Sequence, residues 1–412
     1  MNNNFYRVLQ SELSVLDKAK VAKRSEKVIE GFTNDDAPKA IIDGKKYSLF
    51  NSNDYLGLRH HLLLKKAERE ASEKFGTGPG AVRFISGTLE VHKQLEKTIS
   101  HFHRRDDAIV FSSAFADNIA VVFCLVQGRG KDSQINEGVV VISDILNHRS
   151  IIDGIRLSGL PKEKRVVFPH LNIEELDKSL EMNLKDNNRA IVITDGIFSM
   201  LGEYQKINKM KHIIDKYNKK YDMGVLLIID DSHGVGAIGK NGRGAEEVEK
   251  TTGDLLIGTF GKSFGADGGY VVGNQVLIDY LREAAATYIF SNSISPGTAA
   301  AAKCAVELVD GEVGKILLSK LRNNIKYFKQ KSQKKGFLFA ADSDHPIQPL
   351  LIGDPVKAKE VVNRLYSQNI LVTNINFPVV PKGKDEIRIQ LSAVHTLQDI
   401  DYLIDMLEDV LK

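Results

Sequence analysis

Thr259-Phe-Gly-Lys-Ser-Phe-Gly-Ala-Asp-Gly-Gly-Tyr270 holds a single lysine, Lys262, among glycines at 258, 261, 265, 268 and 269. Leu255-Leu-Ile257 leads in and Tyr270-Val-Val272 leads out, and both read as short buried strands. Glycine lets a backbone turn sharply and lets another group come close. A lysine held in a dry crevice loses its charge readily, because burial penalises the ammonium. The neutral amine is a nucleophile that forms an imine with an aldehyde. The same residues also fit an ordinary hairpin with a solvated lysine. A phosphate-binding P-loop does not fit: that motif needs glycine five residues before Gly261, and position 256 is Leu256.

Upstream, strands and helices alternate. Apolar runs at Ala108–Phe111, Val139–Ile142, Arg165–Phe168, Ala190–Thr194 and Gly224–Ile229 predict strands. Periodic segments at 90–103, to 126, 150–157, 173–183 and 206–217 predict helices. Near-continuous apolar strands with intervening helices imply an α/β fold, with a mostly parallel central sheet covered by helices on both faces. In such sheets ligands sit at the carboxyl ends of the strands. His148, Ser199, Asp230, His233 and Lys262 all fall just after predicted strand ends, which places five reactive side chains at one edge. The turn Ser112-Ser-Ala-Phe-Ala-Asp-Asn118 opens a helix, so Ala114 and Phe115 offer free N–H groups to a phosphate. Gly76-Thr-Gly-Pro-Gly80 reads either as an anion loop or as a plain linker. His101 and His103 do not share a helix face and read as surface residues, with no metal site.

Beyond Gly273 the pattern changes. Helices are predicted at 275–286 and across 297–331, a loop from Tyr288 to Pro296, and strands at 346–352, 371–372 and 386–391. Helices at 356–368 and 397–411 complete a smaller α+β unit. At the other end, residues 5–30 predict an exposed helical arm and 39–50 a hairpin around Asp43-Gly44. The expected organisation is an N-terminal arm and hairpin (1–58), a large domain (59–300) and a small C-terminal domain (301–412).

The 412 residues are 42% hydrophobic and 26% charged, an ordinary globular composition. With 56 basic against 53 acidic residues, no clustered cationic excess points to nucleic acid. No apolar run approaches a membrane span. Two cysteines far apart in apolar surroundings, and no apolar signal core at the N-terminus, lead us to expect a reducing cytoplasm.

An imine-forming lysine matches pyridoxal 5′-phosphate (PLP), which needs an acid for its ring nitrogen, a cover for the ring and a seat for its phosphate. Asp230 suits the first, His148 the second, and Ala114, Phe115 and Thr259 the third. Together, Thr259-Phe-Gly-Lys262, Asp230-Asp-Ser-His233-Gly-Val-Gly236, Asn147-His148 and Asp195-Gly-Ile-Phe-Ser199-Met200 resemble the α-oxoamine synthases, which are fold-type I PLP enzymes. Val82-Arg-Phe-Ile-Ser-Gly-Thr88, Phe377-Pro-Val-Val-Pro-Lys-Gly383 and Arg388-Ile-Gln-Leu-Ser-Ala393 are most similar to the glycine C-acetyltransferases of that family. The resemblance implies glycine and acetyl-CoA as substrates, Lys262 as cofactor anchor and proton carrier, and Ser199 and His233 near the ring's phenolic oxygen. It implies Arg388 as the clamp on the amino-acid carboxylate and Asn53 beside the substrate. Ser291 and Asn292 would reach the phosphate of a neighbouring subunit, in a homodimer. The segment 128–138 is longer than the family pattern and Gly78-Pro-Gly80 departs from it. The alternative is therefore a relative that uses a longer acyl-CoA, or alanine or serine with decarboxylation, or both: an 8-amino-7-oxononanoate synthase, a serine palmitoyltransferase or an autoinducer synthase.

Overall fold

The computed structural model describes residues 4–18, 22, 24, 26–377 and 379–412. The apolar runs form a seven-stranded sheet: β1 (Asp107–Phe111), β2 (Val139–Asp144), β3 (Arg165–Phe168), β4 (Arg189–Asp195), β5 (Val225–Asp230), β6 (Leu255–Thr259) and β7 (Gly269–Gly273), in spatial order β1-β7-β6-β5-β4-β2-β3. The pairs from β3 through β6 are parallel, whereas β7 runs antiparallel to both β6 and β1.

Side chains alternate across a strand, and here neighbours feed opposite cores. Ala190 and Val192 join one hydrophobic cluster, whereas Ile191 and Ile193 join another on the far face. All seven residues of β4 are buried, as expected of a strand covered by helices on both sides.

The lysine stretch is the connection between two antiparallel strands, with Gly269 opposite Thr259. It is therefore a hairpin, and it also carries Lys262 in a cleft. Gly258 makes room for the Tyr270 ring, whose hydroxyl would lie 2.3 Å from a Cβ built at that position.

Two smaller sheets stand beside the large one. One has the order Ile347–Leu351, Glu386–Gln390, Thr373–Ile375, all antiparallel. The other joins the hairpin Ala40–Ile42 and Lys45–Leu49 to Ile370–Leu371, the last pairing being parallel. The strand predicted at 371–372 is thus split around Val372 between two sheets. The helix predicted at 275–286 breaks at Ala285, so Tyr288 and Ile289, predicted as loop, end a short helix Ala286–Ile289. The long helical tract divides at Gly311 into Pro296–Asp310 and Glu312–Lys334. The arm forms one exposed helix, Asn4–Lys18; part of the arm predicted beyond it lies outside the described residues, as does Pro378 of the 377–383 turn.

One surface assignment is corrected. His103 is buried, with Nε2 2.9 Å from the Tyr270 hydroxyl, because that end of its helix packs over β7. His101 is exposed, as expected.

Candidate active site

The carboxyl ends of β2, β4, β5 and β6 converge on a cleft lined by Ala114, Phe115, His148, Ser199, Asp230, His233 and Lys262, among others. Asp230 is the last residue of β5 and is buried. Ser232 donates to its Oδ1 from the backbone N–H at 3.0 Å and from the hydroxyl at 2.6 Å. Asn118 Nδ2 donates to its Oδ2 at 2.6 Å. Asn118 also donates to Ser150 Oγ at 2.9 Å, and Ser150 Oγ lies 2.7 Å from His148 Nδ1. The Ser150 backbone N–H points at the same nitrogen, which makes His148 the cap of its helix. Nδ1 is therefore an acceptor, and the proton of the neutral ring sits on Nε2. Burial holds the His148 pKa below its usual value against the pull of Asp230. A chain of hydrogen bonds thus couples the acid to the imidazole.

Lys262 enters from the loop after β6 and takes part in no ion pair among the described residues. Burial lowers its pKa to about 8, although Asp230 and Asp195 favour the charged form. About a tenth of the amine is accordingly neutral and nucleophilic at pH 7, far more than for a lysine in water. His233 lies within 2.9 Å of the Tyr55 hydroxyl through Nδ1, and burial holds its pKa far below normal. His345 Nε2 donates to the His233 carbonyl at 2.8 Å and fixes the backbone there.

At the opposite wall, the helix Ala114–Gln127 begins with Ser113 as its cap, leaving the N–H groups of Ala114 and Phe115 at an anion-attracting end. Gly269 lets that end approach: a Cβ there would lie 2.3 Å from the Ala114 nitrogen and 2.0 Å from Asp117 Oδ2. Thr259 is buried in the hairpin's own bonds, its hydroxyl donating to the Gly268 carbonyl at 3.0 Å and accepting from the Gly261 N–H at 3.1 Å.

Arg388, on the small sheet, donates to Gln390 Oε1 at 3.2 Å, whereas its Nε and Nη2 are buried without a partner. Gln390 in turn donates to Asn53 Oδ1 at 2.6 Å. Two orphaned guanidinium nitrogens suit a carboxylate. Ser291 and Asn292 do not line the cleft; Asn292 is exposed beside Phe290. Gly76–Gly80 is an exposed loop outside the cleft.

These groups fit PLP: a lysine amine without an ion-pair partner, a carboxylate held by three donors across the cleft, and two helix N–H groups close by. When bound, the cofactor supplies an electron sink for the α-carbon of an amino acid.

The model of the aminotransferase class I and II family matches residues 45–407. An 8-amino-7-oxononanoate synthase from Thermosipho melanesiensis is 38% identical over 90% of either chain. Another from Thermoanaerobacter pseudethanolicus is 36% identical, covering 98% of this chain and 96% of its own. The chain belongs to the α-oxoamine synthases. Among solved structures, serine palmitoyltransferase with PLP superposes with a TM-score of 0.87 at 26% identity, covering 100% of this chain and 98% of the other. The Sphingomonas wittichii serine palmitoyltransferase gives 0.86 at 25%, with the same coverage. The fold is that of a fold-type I PLP transferase, and PLP is the cofactor of the family. Amino acid and acyl-CoA substrates fit this family. The narrower expectation of a glycine C-acetyltransferase finds no support in these relatives. No helix among the described residues is long and apolar enough to cross a membrane.

Sequence reasoning left out Asn118 and Tyr55 as site residues, the partners of Asp230 and His233. Asn118 closes the turn Ser112–Asn118 noted in the sequence, and Tyr55 lies in the turn-rich stretch Asn51-Ser-Asn-Asp-Tyr-Leu-Gly57. A buried carboxylate and a buried imidazole each require a partner, and that requirement was the available signal.

Proposed function

We propose that the chain condenses alanine with a seven-carbon acyl-CoA that carries a second carboxylate, releasing CoA and carbon dioxide to give 8-amino-7-oxononanoate. The observation that carries this reading is a second, mostly apolar cavity of about 280 Å³, which meets the cofactor cleft at Ser199. An acetyl group would leave most of that space unfilled. The chemistry of the relatives' product supports the same choice. Cutting its C7–C8 bond leaves a heptanedioyl group on one side and, on the other, the two-carbon amine that alanine becomes on losing its carboxylate.

In this reading Lys262 Nζ anchors the cofactor and, once displaced, takes the proton from the α-carbon of alanine. Asp230 holds the proton on the ring nitrogen, and His148 covers the ring. The Ala114 and Phe115 N–H groups seat the phosphate, with Thr259 shaping the hairpin beside it. Arg388 binds the alanine carboxylate through its two free nitrogens, next to Asn53. Ser199 and His233 stand by the phenolic oxygen, and His233 polarises the thioester carbonyl. Ser291 and Asn292 complete the phosphate seat of a partner subunit in a homodimer.

CoA release from the PLP-loaded protein, measured with glycine, alanine and serine against acetyl-, heptanedioyl- and palmitoyl-CoA, tests the proposal. Alanine with heptanedioyl-CoA is expected to give the highest kcat/KM. A higher value for glycine with acetyl-CoA, or for serine with palmitoyl-CoA, would overturn it.

A further inference from the structure

Glu386 is fully buried, and neither carboxyl oxygen has a hydrogen-bond partner among the described residues. It lines the apolar cavity that meets the cofactor cleft, where Phe198, Leu201, Val379 and Val380 supply apolar wall. A buried polar group without a partner costs free energy, and such groups in native proteins call for a reason. A ligand that brings the partner is one such reason.

The placement is specific. Glu386 and Arg388 are two residues apart on one strand, so their side chains share a face and their Cα atoms are about 7 Å apart. Arg388 serves the amino-acid end of the site, and Glu386 lies further along the same strand in the wall of the acyl cavity. Burial raises the Glu386 pKa to about 8 despite the nearby Arg388 charge, and Glu203 pushes in the same direction as burial. Near neutrality the group is mostly a carboxylic acid, with one O–H to donate and one carbonyl to accept. The other charged residue of the cavity wall, Lys384, is exposed. An alkyl end in this cavity would leave Glu386 unpaired in a dry place. A carboxylate accepts its O–H, and the two acids then share one proton, as close carboxyl pairs do.

We infer that Glu386 determines acyl specificity by hydrogen-bonding the far carboxylate of a dicarboxylic acyl-CoA. The inference rests on the proposed function and names the residue that enforces it.

The test compares heptanedioyl-CoA with heptanoyl-CoA, of equal length but lacking the far carboxylate, with alanine and the holoenzyme. A site built around a hydrogen bond rejects the analogue that lacks it, so the wild type should favour the diacid by roughly 10- to 100-fold in kcat/KM. Glu386→Leu should reduce that preference at least about tenfold while heptanoyl-CoA turnover stays within about threefold. Glu386→Gln, which keeps a donor and an acceptor, should retain most of the preference. Equilibrium dialysis of both thioesters against holoenzyme without amino acid reads the same preference as binding, independent of turnover. An unchanged diacid-to-monoacid ratio in Glu386→Leu, or in Glu386→Ala should the leucine variant not fold, overturns the inference. Turnover of neither heptanoyl thioester, with glycine and acetyl-CoA active instead, would sink the proposed function.

Discussion

At Lys262 two influences oppose each other: burial strips water from the ammonium, and Asp230 and Asp195 hold the charge. Burial wins, and the pKa falls from 10.5 to about 8. Apo-protein incubated with PLP and quenched with borohydride should therefore show trapping at Lys262 with a midpoint near pH 8, not near 10.5. Lys262→Ala should abolish the trapped adduct. His170 runs the other way. Burial disfavours its charge, but hydrogen bonds to Asp144 and Glu203 at 3.0 and 3.1 Å outweigh burial and raise the pKa from 6.5 to about 9. A raised pKa stabilises the fold fully below about pH 6.5 and loses that contribution as the pH climbs through about 9. The gap in urea midpoint between wild type and His170→Asn should thus be wide at pH 6 and narrow at pH 9.5. Single residues of this kind were legible unevenly. Lys262, Asp230, His148, Ser199 and His233 could be placed at one cleft because each follows an apolar run. Asn118 and Tyr55 could not be assigned, because their partners lie 112 and 178 positions away and only folding brings them together. Glu386 resembles any strand-edge glutamate until its burial is known.

The elements were more legible than their pairings. Each apolar run upstream of Lys262 became a strand; all but the edge strand β3 bury four to seven residues, as expected in a sheet covered by helices. Periodicity gives no strand direction, so the antiparallel β7 was hidden, as was the division of 370–375 between two sheets. One contact between elements carries a consequence for the site. Gly269 on β7 holds the start of the Ala114–Gln127 helix at a distance no side chain allows. Gly269→Ala must push that helix end or Asp117 aside. Overpacking of this kind costs about 1–3 kcal/mol, and the displaced N–H groups should weaken PLP binding at least about tenfold. Fluorescence titration of the apo-variant with PLP, alongside its thermal midpoint, checks both effects. Tight binding in a variant with a lowered midpoint would separate the packing role from the phosphate seat.

Over the whole molecule, large apolar side chains lie exposed around the segment proposed to serve a neighbour: Phe84 at 65%, Ile85 at 67% and Phe290 at 79%. A cluster of exposed large apolar side chains points to a contact, and we propose the homodimer as that contact. The expected three-part division at 58 and 300 also remains a proposal; the pairing of Lys45–Leu49 with Ile370–Leu371 ties the first part to the last. If Ser291 and Asn292 act across the dimer, Lys262→Ala and the double variant Ser291→Ala/Asn292→Ala should each lose most activity alone. Refolded together they should recover about a quarter of the wild-type rate, the share of intact sites in a random mixture of subunits. No recovery in a dimer shown by sedimentation would place those two residues outside the partner's site. The same long-range pairing orders the birth of the protein. The Phe50 carbonyl accepts from the Gln390 N–H and the Tyr55 carbonyl from the Ala393 N–H, both at 2.8 Å. The loop bearing Asn53 and Tyr55 therefore cannot settle until almost the entire polypeptide has left the ribosome. The residues that line the cleft, from Ala114 to Lys262, all lie in chain that emerges before Gln390 and Ala393, so the walls of the cleft can form before the loop beside it is fixed.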